Sequence, residues 1–221
     1  MLLLQFSTSH YCRKARLALG YKGLPYQVQN LTPGLHLLRL KPLTGLTTVP
    51  VLLPQQPDQP QAIADSTRIF RYLEALAPEP ALFLKDENAQ RQAWLLEDWL
   101  DESIGTATRF VYYDFRAGTG KSLDPSLSSQ IVINIVRRQY GITPASVKLA
   151  AERLEQAFSI LSPWQKQPYL LGNLSLADLS AAALLSPLAR IPEYRDRHPW
   201  LFQRLREIHA LCHEPLPPGL S

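Results

Sequence analysis

MLLLQFSTSHYCRKARLALGYKGLPYQVQNL, residues 1–31, holds the pattern that decides the fold. Residues 2–6 are a short apolar run, too short and too poor in basic residues for a signal peptide, and they read as a first strand. Residues 11–22 set Ala15, Leu17, Ala18 and Leu19 among arginines and lysines, a helix that Gly23 and Pro25 stop. YQVQNL (26–31) alternates in polarity as a second strand does. A strand, helix and strand packed this closely call for a right-handed crossover joining parallel strands.

Working outward, the chain passes through a loop or irregular helix to VPVLL (49–53), a third strand. The polar spacer PQQPDQP (54–60) then leads to QAIA (61–64), its hairpin partner. Helical spacing resumes at Asp65-Ser66, with Ile69, Phe70, Leu73 and Leu76 on one face. Residues 1–77 thus form a small α/β domain ordered βαβ then ββα, and 78–87 read as a linker. Residues 88–221 read as an all-helical domain, with helices expected over 88–115, 126–140, 144–161, 175–190 and 199–212. The third opens with Thr143-Pro144, a cap followed by proline at the first helical position. The tail EPLPPGLS either folds over the cleft or stays unordered.

Bulk properties narrow the function. The 221 residues are 46% hydrophobic, enough for real cores, yet no run of 18 apolar residues offers a membrane span. Cys12 and Cys212 lie too far apart in sequence to make a disulfide framework, so a reducing cytoplasm is the expected setting. The net charge of +4 comes from scattered pairs such as Arg13-Lys14 and Arg137-Arg138. Nucleic acid would call for a clustered basic stripe, so none is expected as a partner.

Four short motifs in order carry a resemblance. SHYCR (9–13) is similar to an S-x-x-C-R turn, TVPVL (48–52) to V-P-x-L, ADSTRI (64–69) to [ED]-S-x-x-I, and GNLSLAD (172–178) to G-x-x-[ST]-x-A-D. With a thioredoxin-like α/β domain followed by a helical one, the chain resembles the cytosolic glutathione transferases of the delta- and theta-like serine type over nearly its whole length. The resemblance implies a detoxifying enzyme with glutathione as co-substrate, a small hydrophobic electrophile, no metal, and a homodimer. It makes Ser9 the catalytic serine, with Ser7, Tyr11 and Cys12 the other groups able to reach the sulfur. It puts a cis peptide before Pro50 and the Val49 backbone beside the tripeptide. It also assigns the γ-glutamyl end to Asp65 and Ser66. His36, Lys41 and Arg13 are candidates for the glycine carboxylate, and Tyr112, Tyr113 and Arg116 for the electrophile site. The chain departs from the pattern in KPLTGLTTVP, longer than the usual N-P-x-G-x-V-P, and at Thr67, where many relatives carry arginine.

The residue types suit that chemistry. Asp65-Ser66 opens a helix whose free N–H groups favour an anion, and Asp65 can pair with an ammonium. Ser175 and Asp178 read as a capping box, a structural device. A free thiol of pKa about 8.5–9 is only a few per cent ionised at neutral pH. Lowering it to about 6.5 takes roughly 3 kcal/mol. A hydrogen bond to the thiolate supplies about 1.5–3 kcal/mol, and a helix N-terminus about 0.3–1, up to about 2 when buried. A serine at the start of the first helix suffices by donating to sulfur, without taking the proton. Two rivals share these residues: a glutaredoxin- or omega-like thiol-disulfide enzyme using Cys12, and a non-catalytic module of the same fold that binds a protein or hydrophobic ligands.

Overall fold

The computed structural model describes residues 1–220. Four strands, β1 (Leu2–Gln5), β2 (Gln27–Asn30), β3 (Val51–Leu53) and β4 (Ile63–Ala64), form one sheet in the order β2–β1–β3–β4. β1 and β2 run parallel, with Leu3 opposite Val28, and the helix α1 (His10–Tyr21) makes the crossover. β3 is antiparallel to both β1 and β4. This is the thioredoxin-like arrangement the sequence calls for. Side-chain alternation along β1 sorts the core: Leu3 and Leu52 join α1 and α3 (Ser66–Leu76) on one face, while Leu4 and Val51 meet Leu40 on the other. Leu40 belongs to α2 (His36–Thr44), the segment expected to be loop or irregular helix. β2 is exposed along its length, which its polar residues tolerate at a sheet edge.

The remaining chain is helical: α4 (Glu87–Trp99), α5 (Gly105–Ala117), α6 (Leu127–Gln139), α7 (Pro144–Leu161), α8 (Leu176–Leu184), α9 (Pro192–Arg197) and α10 (Pro199–Leu211). Three boundaries differ from expectation. The single helix expected over 88–115 is broken by a π-helical turn, Leu100–Ile104, in which the Gly105 N–H donates to the Leu100 carbonyl. The helix expected over 175–190 ends at Leu184 and continues as a 3-10 turn, Ser186–Arg190, where Pro187 cannot donate to an α-helical ladder. The short α9, not foreseen, follows it. No described helix is long and apolar enough to cross a membrane.

The α1 helix is the structural hinge of the molecule, because nearly every one of its residues from His10 to Leu19 is buried. It packs on α3 and the sheet on one side and on α8 on the other. Its last turn is tied to the end of α3 by the buried Lys22 ammonium, which pairs with Glu74 and donates to the Ala77 carbonyl at 2.7 Å. A Cβ at Gly20 would stand 1.9 Å from the Cys212 carbonyl oxygen, so only glycine lets the end of α10 approach this closely. The described part of the tail lies against α1 and α10. Glu214 turns back to pair with Arg16 at 2.8 Å, and Leu220 is buried near the Arg206 side chain.

Candidate active site

The turn after β1 aims the start of α1 at the edge of the sheet. The Ser9 N–H donates to the Phe6 carbonyl at 3.0 Å, which reverses the chain and leaves Ser9 as the N-cap of α1. The Ser9 Oγ accepts from the Cys12 N–H at 3.3 Å. The same hydroxyl also bears on the neighbouring Cys12 thiol. Ser9 is half-buried, whereas Ser7 is exposed.

The other groups of this turn are differently occupied. Cys12 is fully buried and burial pushes its thiol up, the Ser9 and Phe6 hydrogen bonds only partly opposing it. The Tyr11 hydroxyl donates to the Asp101 carbonyl at 2.6 Å. Burial, the chief cause, pushes the Tyr11 phenol up to about 12. His10 is buried and held down to about 3, by burial first and then by the charge of Arg109, so it is neutral; its Nε2 has no partner among the described residues. Arg13 is also buried, beside His209 of α10 at 3.5 Å, and is therefore no partner for a glycine carboxylate at the surface.

At α3 the backbone of Asp65 has φ 80°, a conformation an aspartate adopts only when its surroundings impose it. Its Oδ1 accepts from the Thr67 and Arg68 N–H groups at 3.0 and 3.1 Å, and no described donor occupies Oδ2. Ser66, 2% exposed, supplies the first amide of the helix, which has no acceptor within the helix. The Val49–Pro50 peptide is cis, as expected, with Pro50 buried and Val49 half-buried. His36 stands edge-on to Phe6 with ring centroids 4.9 Å apart, and its Nδ1 accepts from the Gly34 N–H at 3.0 Å. Lys41, on the same helix, is exposed.

The expected electrophile residues lie together, with the rings of Tyr112 and Tyr113 5.5 Å apart. Arg116 is 6% exposed and donates to the Tyr112 hydroxyl at 3.2 Å and to Ser129 Oγ at 3.1 Å, while Arg190 reaches the same tyrosine at 3.4 Å. Tyr112 and Arg116 therefore tie α5 to α6 and to the 3-10 turn. Tyr113 lies in the field of Tyr112, Arg109 and Tyr140, with its hydroxyl pushed up by burial. Arg109 and Tyr140 were not singled out from the sequence. The signal was available, since residue 109 lies one helical turn before Tyr113 on the same face. Two surface depressions, around Ile135 and Arg138 and around Phe115 and Val147, lie off this junction and neither includes Ser9.

A second unforeseen group is Lys14. Its ammonium is fully buried, pairs with Glu97 of α4 and with Asp101 Oδ2 at 2.7 Å, and contacts Thr67 Oγ1 at 3.4 Å. Thr67 in turn donates to Glu97 at 2.6 Å. A cation from α1 thus stands beside the threonine where an arginine was expected.

Comparison with known proteins agrees with this geometry. Residues 3–81 match the family model described as "Glutathione S-transferase, N-terminal domain". No curated protein matches the chain by sequence. Among solved structures, FzlA from C. crescentus is 24% identical with a TM-score of 0.68, covering 100% of this chain and 94% of its own. A glutathione S-transferase from Methylobacterium radiotolerans, in complex with glutathione sulfonate, is 22% identical with a TM-score of 0.72, covering 98% and 94%. The beta-etherase LigF from Sphingobium sp. strain SYK-6 is 20% identical with a TM-score of 0.74, covering 99% and 97%. Residues 3–81 therefore match the glutathione S-transferase N-terminal domain, and the chain as a whole shares the fold of these solved structures.

Proposed function

We infer that the protein is a glutathione transferase in which Ser9 stabilises the glutathione thiolate for attack on a small hydrophobic electrophile. The observation that carries this reading is the state of Ser9. Ser9 caps α1, its oxygen accepting from the Cys12 N–H, so the hydroxyl stands at the helix N-terminus, where it can donate to a sulfur. The free Oδ2 of Asp65 suits the α-ammonium of glutathione, and the Ser66 amide suits the α-carboxylate. Val49 offers backbone groups to the cysteinyl part beside Pro50, and His36 and Lys41 face the glycine end. Tyr113 lies on the electrophile side. The family neighbour holding glutathione sulfonate supports glutathione as the ligand. On this reading residues 1–77 are the glutathione-binding domain, 78–87 a linker and 88–221 the helical domain, in a cytoplasmic homodimer. The buried Cys12, its thiol pushed up, weighs against the thiol-disulfide reading.

The test is turnover with glutathione across several electrophile classes, alongside a disulfide-reduction assay. Ser9→Ala is expected to raise the pKa of bound glutathione by about 1–2 units, the loss of one charge-assisted bond. Conjugation at neutral pH should fall about tenfold or more with little change in glutathione affinity, while Cys12→Ser leaves conjugation nearly intact. Activity lost with Cys12 and kept without Ser9 would favour the thiol-disulfide enzyme. Failure to bind glutathione at all would favour the binding module.

A further inference from the structure

Arg109 is a cation that the thiolate chemistry does not use. It projects from the second turn of α5, and its guanidinium carbon lies 5.4 Å from the ring centroid of Tyr11 and 4.4 Å from that of Tyr140. The two rings come from different elements, the first turn of α1 and the residue that ends α6. Two aromatic faces restrain a planar cation without using its N–H groups, which stay at its edges for an acceptor.

The surroundings leave that acceptor unsupplied. Among the described residues no carboxylate lies within 4.0 Å of Arg109, as is also true of Arg13, Arg71 and Arg190; what sets Arg109 apart is its place between two aromatic rings. Asp101, the buried acid of the π turn, is engaged by Lys14. The Tyr11 hydroxyl hydrogen goes to the Asp101 carbonyl. Arg109 is only half-buried, so a ligand can reach it. Its contact with Tyr11 puts it beside the turn that begins at Ser9, on the side given by the helical elements.

The geometry points to Arg109 as the binding group for a carboxylate carried by the electrophile. This inference rests on the thiolate reading and narrows its substrate class, from hydrophobic electrophiles in general to planar or aromatic ones bearing a carboxylate. A carboxylate accepts two parallel N–H bonds from the guanidinium fork, which orients the substrate as well as holding it. In a substitution the sulfur lone pair forms the C–S bond as the carbon–halogen bond breaks, and the halide leaves with its electron pair. The carboxylate on Arg109 keeps its charge throughout and takes no part in the bond changes.

The test compares 4-chloro-3,5-dinitrobenzoate with its neutral methyl ester, as the ratio of their kcat/KM values. Arg109→Gln is expected to lower that ratio about tenfold or more, the loss of a hydrogen-bonded charge pair. Arg109→Lys, which keeps the charge and loses the fork, should fall between the two. Tyr140→Ala, which frees one face of the guanidinium, should lower the ratio by a smaller factor. Ser9→Ala should slow both substrates alike and leave the ratio unchanged, so loss of thiolate activation is distinguishable from loss of carboxylate recognition. Melting curves of each variant establish that it is folded. An unchanged ratio in folded Arg109→Gln overturns the inference while leaving the transferase reading intact. If neither substrate turns over, calorimetry with S-(4-carboxybenzyl)glutathione and S-benzylglutathione decides. Tighter binding of the first that is lost in Arg109→Gln supports the inference, equal binding overturns it, and binding of neither removes both readings.

Discussion

At the scale of single residues, Lys14 shows how one side chain holds the start of the candidate site in place. Its ammonium meets two carboxylates, Glu97 and Asp101, with Thr67 closing the cluster. A buried ion pair is weak as a source of net stability, but removing one partner strands the other charges in a dry site. Lys14→Met is therefore expected to cost about 3–5 kcal/mol, read as a lower denaturation midpoint. A loss under about 1 kcal/mol would mean water or another cation already shares the cluster. Asp101 adds a pH dependence. Burial pushes its carboxyl up to about 6, against the pull of Lys14 and with the help of Glu97. Because the folded value lies above the ordinary one near 3.8, ionisation of Asp101 costs stability. That cost is absent below about pH 4, grows as the pH rises, and is complete above about pH 6. Asp101→Asn should flatten this part of the melting-temperature profile, and an unaltered slope across it would assign the titration elsewhere.

At the scale of elements, the π turn between α4 and α5 has a definable cause. The turn brings the Asp101 carbonyl under the Tyr11 hydroxyl, and α5 begins at a glycine because nothing larger fits. A Cβ at Gly105 would stand 2.7 Å from the Tyr11 oxygen and 3.2 Å from Leu184 Cδ2. Alanine is normally the better helix former by about 0.8–1 kcal/mol. Here the crowding outweighs that gain, and Gly105→Ala should destabilise by about 1–3 kcal/mol. Adding Tyr11→Phe, which removes the crowded oxygen, should recover part of the loss; if the double variant is no better than the single, the clash lies with Leu184 instead. The start of α8 is held differently. The Asp178 carboxylate accepts from the Ser175 N–H and hydroxyl, both at 2.9 Å, and from the Leu170 N–H at 2.8 Å. Ser175→Ala should cost about 0.5–2 kcal/mol. Asp178→Ala should cost more, since it leaves buried N–H donors unpaired at about 1–3 kcal/mol each. Equal melting shifts for the two variants would contradict that ordering.

At the scale of the whole molecule, one core runs from the sheet through α1 into the helical elements, so both ends of the chain bear on the same helix. The expected homodimer is checked by sedimentation: a mass near twice 25.0 kDa at micromolar concentration supports it, and a mass near 25.0 kDa counts against it. Much of this architecture was legible in sequence because its causes are local. Alternation in YQVQNL, the stop at Gly23 and Pro25, the caps at Asp65, Thr143 and Ser175, and the spacing of Ile69, Phe70 and Leu73 each act within a few residues. The order of those elements then left few topologies; Ser9 is singled out by the resemblance of SHYCR, and its place as the cap of α1 is a local event. What tertiary structure alone decided has partners far apart in the chain. The break after Trp99 depends on Tyr11, the burial of Lys14 on Glu97 and Asp101, and the place of Arg109 on rings at 11 and 140. The hydrogen bonds of Arg116 to Ser129 and of Arg190 to Tyr112, which tie helices together, likewise join residues far apart in the chain. Periodicity assigns a residue to a face of its own helix; which neighbour that face meets is set by how the helices pack, and the chemistry of the site follows from that packing.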